Sequence, residues 1–292
     1  MCGYRYLIKW LPVFVLAALA ATAGLSAALA ATGRPSRIVS INLCADNLLM
    51  ALANPKQIAA LSPYAVDPKL SFFADRAHDF RHDAAEAETV VELKPDLVLA
   101  GRFTKLATRD MLASLGYRVV SLDAVRSIDQ SISQIREIAA LVGHPERGEA
   151  LIGEIEAAQA RARQAASGLA APPTAAVYQR RGYVTGGETL SADLLASVGL
   201  ANAGGSLAGR IGGFIPLEQL VAARPDYLVV AAPDIRAEDQ GTALLAHPAL
   251  QQLYPAARRI VLPERLTVCA GPSLPAALDW LAAEVGRMAD SR

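Results

Sequence analysis

Residues 127–167 read SIDQSISQIREIAALVGHPERGEALIGEIEAAQARARQAAS, and their apolar pattern determines how the rest of the chain is arranged. Apolar residues recur at helical spacing until Gly143 ends the run, as glycine commonly does at a helix C-terminus. Pro145 restarts the pattern at a first-turn position, and the apolar stripe continues to Ala162. This pattern predicts two helices in series. Residues 145–167 as one helix would be about 34 Å long at 1.5 Å per residue, which is enough to span a small lobe.

Strands and helices alternate before this segment. Apolar runs predict strands at residues 37–42, 57–62, 97–100 and 117–122, and helical spacing predicts helices at 45–53, 86–93 and 104–115. Such alternation indicates a parallel sheet with helices on its faces. Ligands bind at the carboxyl ends of the strands in these sheets. The residues that directly follow predicted strand ends, and are therefore candidates for a binding site, are 42–44, 62–64 and 101–103.

The same pattern starts again after Pro172-Pro173, which predicts a second lobe. Strands are predicted at residues 174–179, 227–231 and 259–262, and helices at 190–198, 216–223 and 273–288. Because strands and helices alternate here as well, a second parallel sheet is expected, with its own carboxyl edge available for a ligand.

One motif occurs in both halves of the chain. Residues 88–99 (ETVVELKPDLVL) match residues 218–229 (EQLVAARPDYLV), and the glutamate and the Pro-Asp pair both recur at an offset of 130 residues. A glutamate in the first turn of a helix complements the helix dipole by about 0.3–1 kcal/mol. That explanation accounts for Glu88 and Glu218 separately, but it does not account for their equal spacing from the Pro-Asp pair.

The first thirty residues have the form of a Sec-type signal peptide. Arg5 and Lys9 precede the apolar run 10–25, and residues 28–30 (ALA) form an A-x-A cleavage site. The apolar run is short for a membrane anchor, so we expect cleavage and a periplasmic mature chain. The segment holds two of the 28 basic residues and none of the 28 acidic ones, which leaves 26 against 28. This balance gives no indication of nucleic acid as a partner.

The loop at residues 78–83 (HDFRHD) combines imidazoles and carboxylates, which are metal-ligand types. Zinc sites usually collect three or four ligands, often from distant segments. The other two histidines, His144 and His247, lie in turns before prolines. We therefore interpret the loop as a solvated polar segment and predict neither a metal site nor a cofactor.

With these features together, the chain resembles the periplasmic substrate-binding proteins of iron-siderophore and cobalamin ABC importers, the class whose lobes are joined by a long helix. The resemblance extends over residues 37–289 and rests on the paired E-x6-P-D motifs, the RIVSIN strand followed by a helix, and the single linker. It implies two Rossmann-like α/β lobes with parallel sheets, a ligand cleft between them, and a binding protein instead of an enzyme. The implied organisation is a signal peptide at 1–30, a first lobe at 31–126, linking helices at 127–168 and a second lobe at 169–292.

The resemblance also implies partners and site residues. In that family two glutamates dock on the permease, and Glu88 and Glu218 match their positions. The implied partners are an ABC permease dimer and a small metal chelate, and we expect the receptor to be a monomer. The positions that match ligand contacts are Cys44, Tyr64, His82, Arg102, Phe103, Arg180, Phe214 and Cys269.

The ligand stays open among a ferric siderophore, a corrinoid such as cobalamin, and heme. The cobalamin receptors place tryptophans in the cleft, whereas the only tryptophan after residue 30, Trp280, lies in the last predicted helix. Arginines could instead bind an anionic chelate, because guanidinium groups suit carboxylates and catecholates. The arginines in question are Arg102, Arg180, Arg181 and Arg210.

Cys44 and Cys269 each follow a predicted strand and precede a helix, so the implied cleft would bring them face to face. The periplasm is oxidising, and a disulfide needs Cα atoms within about 4.4–6.8 Å. Without such a bond the thiols would contact the chelate. An alternative function on the same fold is a thiol-dependent periplasmic enzyme, since a helix N-terminus can lower the pKa of a thiol. A ligand sensor is a further alternative.

Overall fold

The computed structural model describes residues 33–231 and 240–290 of the chain. The predicted signal peptide and its cleavage site, residues 1–30, lie outside the described residues. Within the described ranges, every helix is too short or too polar to cross a membrane.

The first sheet has four parallel strands in the order β2-β1-β3-β4. Apolar side chains cover both of its faces: Leu97 and Leu99 of β3 belong to one buried cluster, and Val98 belongs to the other. This two-sided burial is expected of a parallel sheet between helices. The elements of this part are β1 (Ile38–Ser40), α1 (Leu43–Leu52), β2 (Ile58–Ala60), α2 (Ala74–Ala77), α3 (Ala87–Leu93), β3 (Leu97–Gly101), α4 (Leu106–Ser114) and β4 (Val119–Leu122).

Two helices in series follow, as predicted: α5 (Ile128–Leu141) and α6 (Pro145–Ala166). The Ser127 hydroxyl accepts a hydrogen bond of 3.1 Å from the backbone amide of Gln130 and so caps the start of α5. Gly143 lies between the helices with φ +79°, a conformation that glycine adopts without strain. The break between the two helices is therefore encoded by the residues that interrupt the apolar pattern.

The second sheet contains parallel strands in the order β7-β5-β9-β10, and an antiparallel extension, β6 and β8, continues from the end of β5. The sequence did not indicate β6, β7 or β8, which are two or three residues long and lie among glycines. The elements are β5 (Thr174–Gln179), β6 (Tyr183–Thr185), α7 (Leu190–Ser197), β7 (Ala201–Asn202), α8 (Gly204–Ala208), β8 (Gly212–Phe214), α9 (Leu217–Ala223), β9 (Tyr227–Val230), α10 (Gln240–Ala243), α11 (Pro248–Leu253), β10 (Arg259–Val261) and α12 (Leu274–Asp290).

The parallel strands of the two sheets share one topology. When the parallel strands of each sheet are numbered in chain order, they lie side by side in the order 2-1-3-4.

The repeated Pro-Asp motif makes equivalent hydrogen bonds in the two sheets. Asp96 accepts hydrogen bonds from the backbone amides of Ser36 and Arg37, and Asp226 accepts one of 2.8 Å from the amide of Thr174. Each aspartate thus ties the start of one strand to the start of its neighbour.

The residue before each proline ends the preceding helix. Lys94 closes α3 at φ 46° and Arg224 closes α9 at φ 45°, and both are in the left-handed region. A residue before proline is disfavoured in the right-handed helical region, so the helix stops there. The E-x6-P-D spacing is therefore the length of one short helix plus the turn that leads into the next strand.

One apolar core connects the two sheets with the linking helices. A single cluster of buried side chains includes Ile38 of β1, Ile152 of α6 and Val229 of β9. The last helix, α12, lies along α6, where the guanidinium of Arg161 donates two hydrogen bonds of 2.8 Å to the carboxylate of Asp279. Because the core is shared, the two sheets do not belong to independently packed bodies.

Candidate functional site

The two sheets meet at a disulfide. Cys44 lies in the first turn of α1, directly after the carboxyl end of β1, and the Asn42 side chain caps this turn by accepting a hydrogen bond of 3.0 Å from the Cys44 amide. Cys269 lies in the segment after β10 and is bonded to Cys44, with Cα atoms 5.2 Å apart. In this state neither sulfur is a free thiol. The bonded sulfurs can therefore act neither as nucleophiles nor as thiolate ligands.

The segment that carries Cys269 is fixed against the first lobe. The amide of Gly271 donates a hydrogen bond of 2.9 Å to the buried hydroxyl of Ser131 on α5. Gly271 has φ +75°, and a β-carbon there would lie 3.0 Å from Cδ2 of Leu48 on α1. The positive φ favours glycine at this position. Residues 269–271 are thus joined to α1 by the disulfide and to α5 by a hydrogen bond.

Two predicted ligand contacts of the first lobe are aromatic and exposed. Tyr64 follows β2 and is 58% exposed, and Phe103 follows β3 and is 84% exposed. Lys105, two residues after Phe103, donates a hydrogen bond of 2.7 Å to Glu86, which is the main reason that its pKa is raised. Large exposed aromatic side chains at the carboxyl ends of parallel strands are available to a ligand.

The other two predicted contacts of this lobe are less available. His82 is half-buried, and its Nδ1 lies 2.8 Å from the carbonyl oxygen of Phe80, which engages the imidazole within its own loop. Arg102 is exposed and lies 3.5 Å from the carboxylate of Asp123, a long contact between solvated groups. Arg102 therefore remains free to turn towards a ligand, because exposed pairs of this kind contribute little.

The antiparallel extension of the second sheet carries the predicted contacts of that lobe. Phe214 of β8 is 68% exposed, and its ring lies 5.3 Å from the ring of Tyr183, its cross-strand partner on β6, at 75°. Arg180 lies at the turn between β5 and β6 and is exposed. Arg210, which the sequence offered as a ligand for an anionic chelate, instead donates two hydrogen bonds of 2.6 Å to Glu188.

The helix α1 also carries a buried acid that the sequence did not indicate. Asp46 on α1 is 0% exposed, and its carboxylate accepts hydrogen bonds of 3.1 Å from the amide and 2.5 Å from the hydroxyl of Ser62. Burial raises the pKa of Asp46 to about 7, against the opposing effect of hydrogen bonds from Ser40 and Ser62. Ser62 begins the turn that carries Tyr64, so the buried acid ties this turn to α1.

The paired glutamates lie in matching positions. Glu88 is in the first turn of α3 and Glu218 is in the first turn of α9, and both are exposed. Neither forms an ion pair within residues 33–231 and 240–290. Two exposed carboxylates without an ion-pair partner in these ranges are available to cations of another protein.

The described part of the chain contains no cluster of three or more side chains that could hold a metal ion. In the loop at residues 78–83, the guanidinium of Arg81 donates hydrogen bonds of 2.6 and 2.9 Å to the carboxylate of Asp83. A polar groove of about 470 Å³ beside β4 and α5 has mixed charge and includes Arg102, Asp123, Arg126 and Glu137 in its lining. It lies between the first lobe and the first linking helix and shares only Arg102 with the predicted ligand contacts.

A family model described as "Periplasmic binding protein" matches residues 38–261 of the chain. The chain belongs to this family. The family resemblance and the α/β fold with two parallel-sheet lobes are therefore confirmed. Its members are binding proteins and not enzymes, and the family implies a periplasmic location.

Individual relatives of this periplasmic binding protein are distant. A vitamin B12-binding protein of Pectobacterium carotovorum is 26% identical over 146 residues, and the match spans 50% of this chain and 52%, about half, of the relative. The heme-binding protein RhuT of Roseiflexus sp. RS-1 is 25% identical with a TM-score of 0.69, and the match covers 87% of this chain and 99% of that one. The vitamin B12-binding protein BtuF of Vibrio cholerae is 17% identical with a TM-score of 0.67, over 89% and 99%, which shows the fold.

Proposed function

We propose that this protein is a periplasmic receptor that binds a metal tetrapyrrole, of the heme or corrinoid class, in the cleft between its lobes and delivers it to an ABC permease dimer. The observation that carries the proposal is the pair Phe103 and Phe214. Both are large, exposed aromatic residues: Phe103 follows β3 in the first lobe, and Phe214 ends β8 in the second. Covering both rings would stabilise a complex by about 25 cal/mol for each Å² removed from water.

A tetrapyrrole suits these side chains better than a small hydrophilic chelate does. Its wide apolar faces can stack on exposed rings such as Tyr64 and Phe103, and aromatic pairs add about 0.5–1.5 kcal/mol beyond area burial. Two relatives with 25% and 26% identity bear the names of a heme-binding and a vitamin B12-binding protein. The ring systems of both ligands are tetrapyrrolic, so the support from relatives and the support from the side chains agree.

A titration of the purified protein without residues 1–30 tests the proposal. The probes are ferric protoporphyrin IX, cyanocobalamin and a ferric trihydroxamate siderophore, each followed by calorimetry and, for the coloured ligands, by absorbance. We expect saturable 1:1 binding of at least one of the two tetrapyrroles and no saturable binding of the trihydroxamate. A preference for the trihydroxamate, or binding of none of the three, would refute the proposal.

The delivery step depends on the exposed glutamates. Glu88 and Glu218 are the residues that we propose to dock on cationic side chains of the two permease subunits, because charge-assisted contacts orient partners and speed their association. Their equal positions at the starts of α3 and α9 match the two-fold arrangement of a permease dimer. The predicted signal peptide at residues 1–30 is consistent with a periplasmic receptor.

A further inference from the structure

The two sheets differ at their outer edges, although in each the fourth parallel strand of the chain lies at one edge. In the second sheet, side chains of α12 close the edge strand β10. The guanidinium of Arg287 donates a hydrogen bond of 3.2 Å to the carbonyl oxygen of Arg259, and the indole of Trp280 donates one of 2.6 Å to that of Val261. An edge strand with unpaired main-chain groups is a template for another strand, and proteins commonly cover it.

The edge strand β4 of the first sheet is open instead. The amide of Arg102 donates a hydrogen bond of 2.8 Å to the carbonyl oxygen of Leu122, so Leu122 faces β3. Successive residues of a strand turn their main-chain groups to opposite sides, which points those of Ser121 out of the sheet. Ser121 is exposed, and within residues 33–231 and 240–290 its amide and carbonyl groups make no hydrogen bond. The next outward carbonyl, that of Asp123, accepts one of 2.9 Å from Gln134 of α5.

This open edge forms one wall of the polar groove of about 470 Å³, and α5 forms the other. Outward main-chain groups recur at every second residue of a strand, about 6.6 Å apart at 3.3 Å per residue. Another extended backbone matches this repeat, whereas a compact small molecule does not. The wall on α5 is hydrophilic, with Gln130, Ser133 and Gln134 in the lining. The groove therefore fits an extended segment with polar side chains.

The charges that line the groove indicate which segment it suits. Arg126 lies beyond the carboxyl end of β4 and is exposed, and it forms no ion pair with any residue that the structure describes. The nearby carboxylate of Asp123 lies 3.5 Å from a different guanidinium, that of Arg102. An acidic side chain of a partner at this end of β4 would therefore meet Arg126, and charge-assisted contacts of this kind fix the register of a partner.

We propose that the edge of β4 is a docking site for an extended, acidic segment of another protein, which adds a fifth strand to the first sheet and places a carboxylate against Arg126. In this mode of recognition, main-chain hydrogen bonds supply affinity and the side chains supply specificity. The inference goes beyond ligand binding and permease docking, and it holds whichever chelate the cleft takes. The two proposals can therefore fail separately.

The test selects binders from a phage-displayed library of random linear octapeptides on the purified protein without residues 1–30. Enriched peptides are synthesised with blocked ends, and their affinities are measured by fluorescence anisotropy. Ser121→Pro removes the outward amide, and edge strands accept proline where the N–H faces away from the sheet. The matched control, Ser121→Ala, keeps this amide and removes only the hydroxyl, which accepts a hydrogen bond of 3.2 Å from Arg109. Arg126→Gln removes the charge.

Enriched peptides should contain Asp or Glu, and Ser121→Pro should weaken their binding about tenfold or more, whereas Ser121→Ala should leave it unchanged. Arg126→Gln should weaken binding about threefold, a loss that disappears at high salt. Hydrogen exchange on the wild-type protein keeps the test decisive even where Ser121→Pro does not fold: a bound peptide should slow exchange in β4 and not in β10.

A library without enriched binders, equal affinities of the wild type and folded Ser121→Pro, an unchanged affinity of Arg126→Gln, or protection outside β4 would each overturn the inference. A dimer in sedimentation that Ser121→Pro dissociates would overturn it too, because the edge would then pair with a second copy of the chain.

Discussion

Cys44 and Cys269 are separated by 225 residues in the sequence, yet their sulfurs are bonded and their Cα atoms lie 5.2 Å apart. The bond connects the first turn of α1 with the segment that leads into α12. The lobes are therefore joined twice: once through α5 and α6, and once through the disulfide. The second connection begins two residues before Asp46, whose carboxylate accepts hydrogen bonds from Ser62 at the start of the turn that carries Tyr64.

Replacing both cysteines should destabilise the protein without abolishing its fold. In the chain-entropy model a disulfide that closes a loop of more than 100 residues contributes on the order of 5 kcal/mol. We expect Cys44→Ser with Cys269→Ser to lower the free energy of unfolding by a few kcal/mol in urea titrations. Wild-type protein unfolded without reductant should have no free thiols from these residues. Detection of two free thiols in that sample would contradict the prediction.

Asp46 should make stability depend on pH. Its carboxyl has a pKa of about 7 in the folded chain, against 3.8 as its ordinary value, so the folded state holds the proton more tightly than the unfolded state. The resulting stabilisation is fully present below about pH 4 and is lost as the pH rises through 7. The difference of about three pKa units corresponds to at most about 4 kcal/mol.

Asp46→Asn removes this ionisation while keeping a side chain of the same shape. As the pH rises from 4 to 8, the unfolding free energy of the wild type should fall by up to about 4 kcal/mol relative to that of the variant. Urea titrations at several pH values measure the shift. Asp129→Asn, which removes an exposed carboxylate from the first turn of α5, is the control and should follow the wild-type profile. A constant difference between Asp46→Asn and wild type across this range would disprove the assignment.

The exposed glutamates should matter for transport and not for binding. We expect Glu88→Ala with Glu218→Ala to abolish uptake of the chelate in cells that carry the cognate permease, because each lobe loses a charge-assisted contact. The affinity of the purified double variant for its ligand should equal that of wild type. Glu92→Ala, an exposed glutamate in the last turn of α3, is the matched control and should support normal uptake. Normal uptake by the double variant would exclude the docking role.

Ligand binding should change the overall shape very little. Large closures need a few hinge residues that can absorb changes in φ and ψ, whereas here a shared apolar core, helices α5 and α6 and the disulfide all connect the lobes. Small-angle scattering of a compact chain of this size gives a radius of gyration of about 18 Å, and we expect no measurable change on adding a saturating ligand. A clear decrease would show that the lobes close as separate bodies.

Much of the framework was predictable because it follows from local patterns. The bounds of β5, residues 174–179, agree with the sequence prediction, and the two helices of the linker begin and end within a few residues of it. Ser127, Gly143 and Pro145 act through the nearest turn of backbone, so their effect is visible in the sequence. The Pro-Asp repeat was visible too, although its hydrogen bonds to Ser36 and Thr174 connect strands distant in sequence.

The parts that were missed depend on contacts across the chain. Strands β6 and β8 have three residues each and contain or adjoin glycines, so neither alternation nor β-propensity marks them. The aromatic pair of Tyr183 and Phe214 exists only because these strands are neighbours. Likewise, an aspartate in the first turn of α1 fits a role at the helix dipole, and only the packing around Asp46 shows that it is buried under Ser62.

The disulfide gives the chain a closed covalent ring that runs from Cys44 through both linking helices to Cys269. A protease that cuts once anywhere inside this ring, including the turn at Gly143, therefore produces two polypeptides that remain bonded to each other. The core shared by the lobes and the helices would hold these fragments in register. A receptor that works outside the cytoplasm, without access to ATP-dependent repair, can in this way survive a single nick as one molecule.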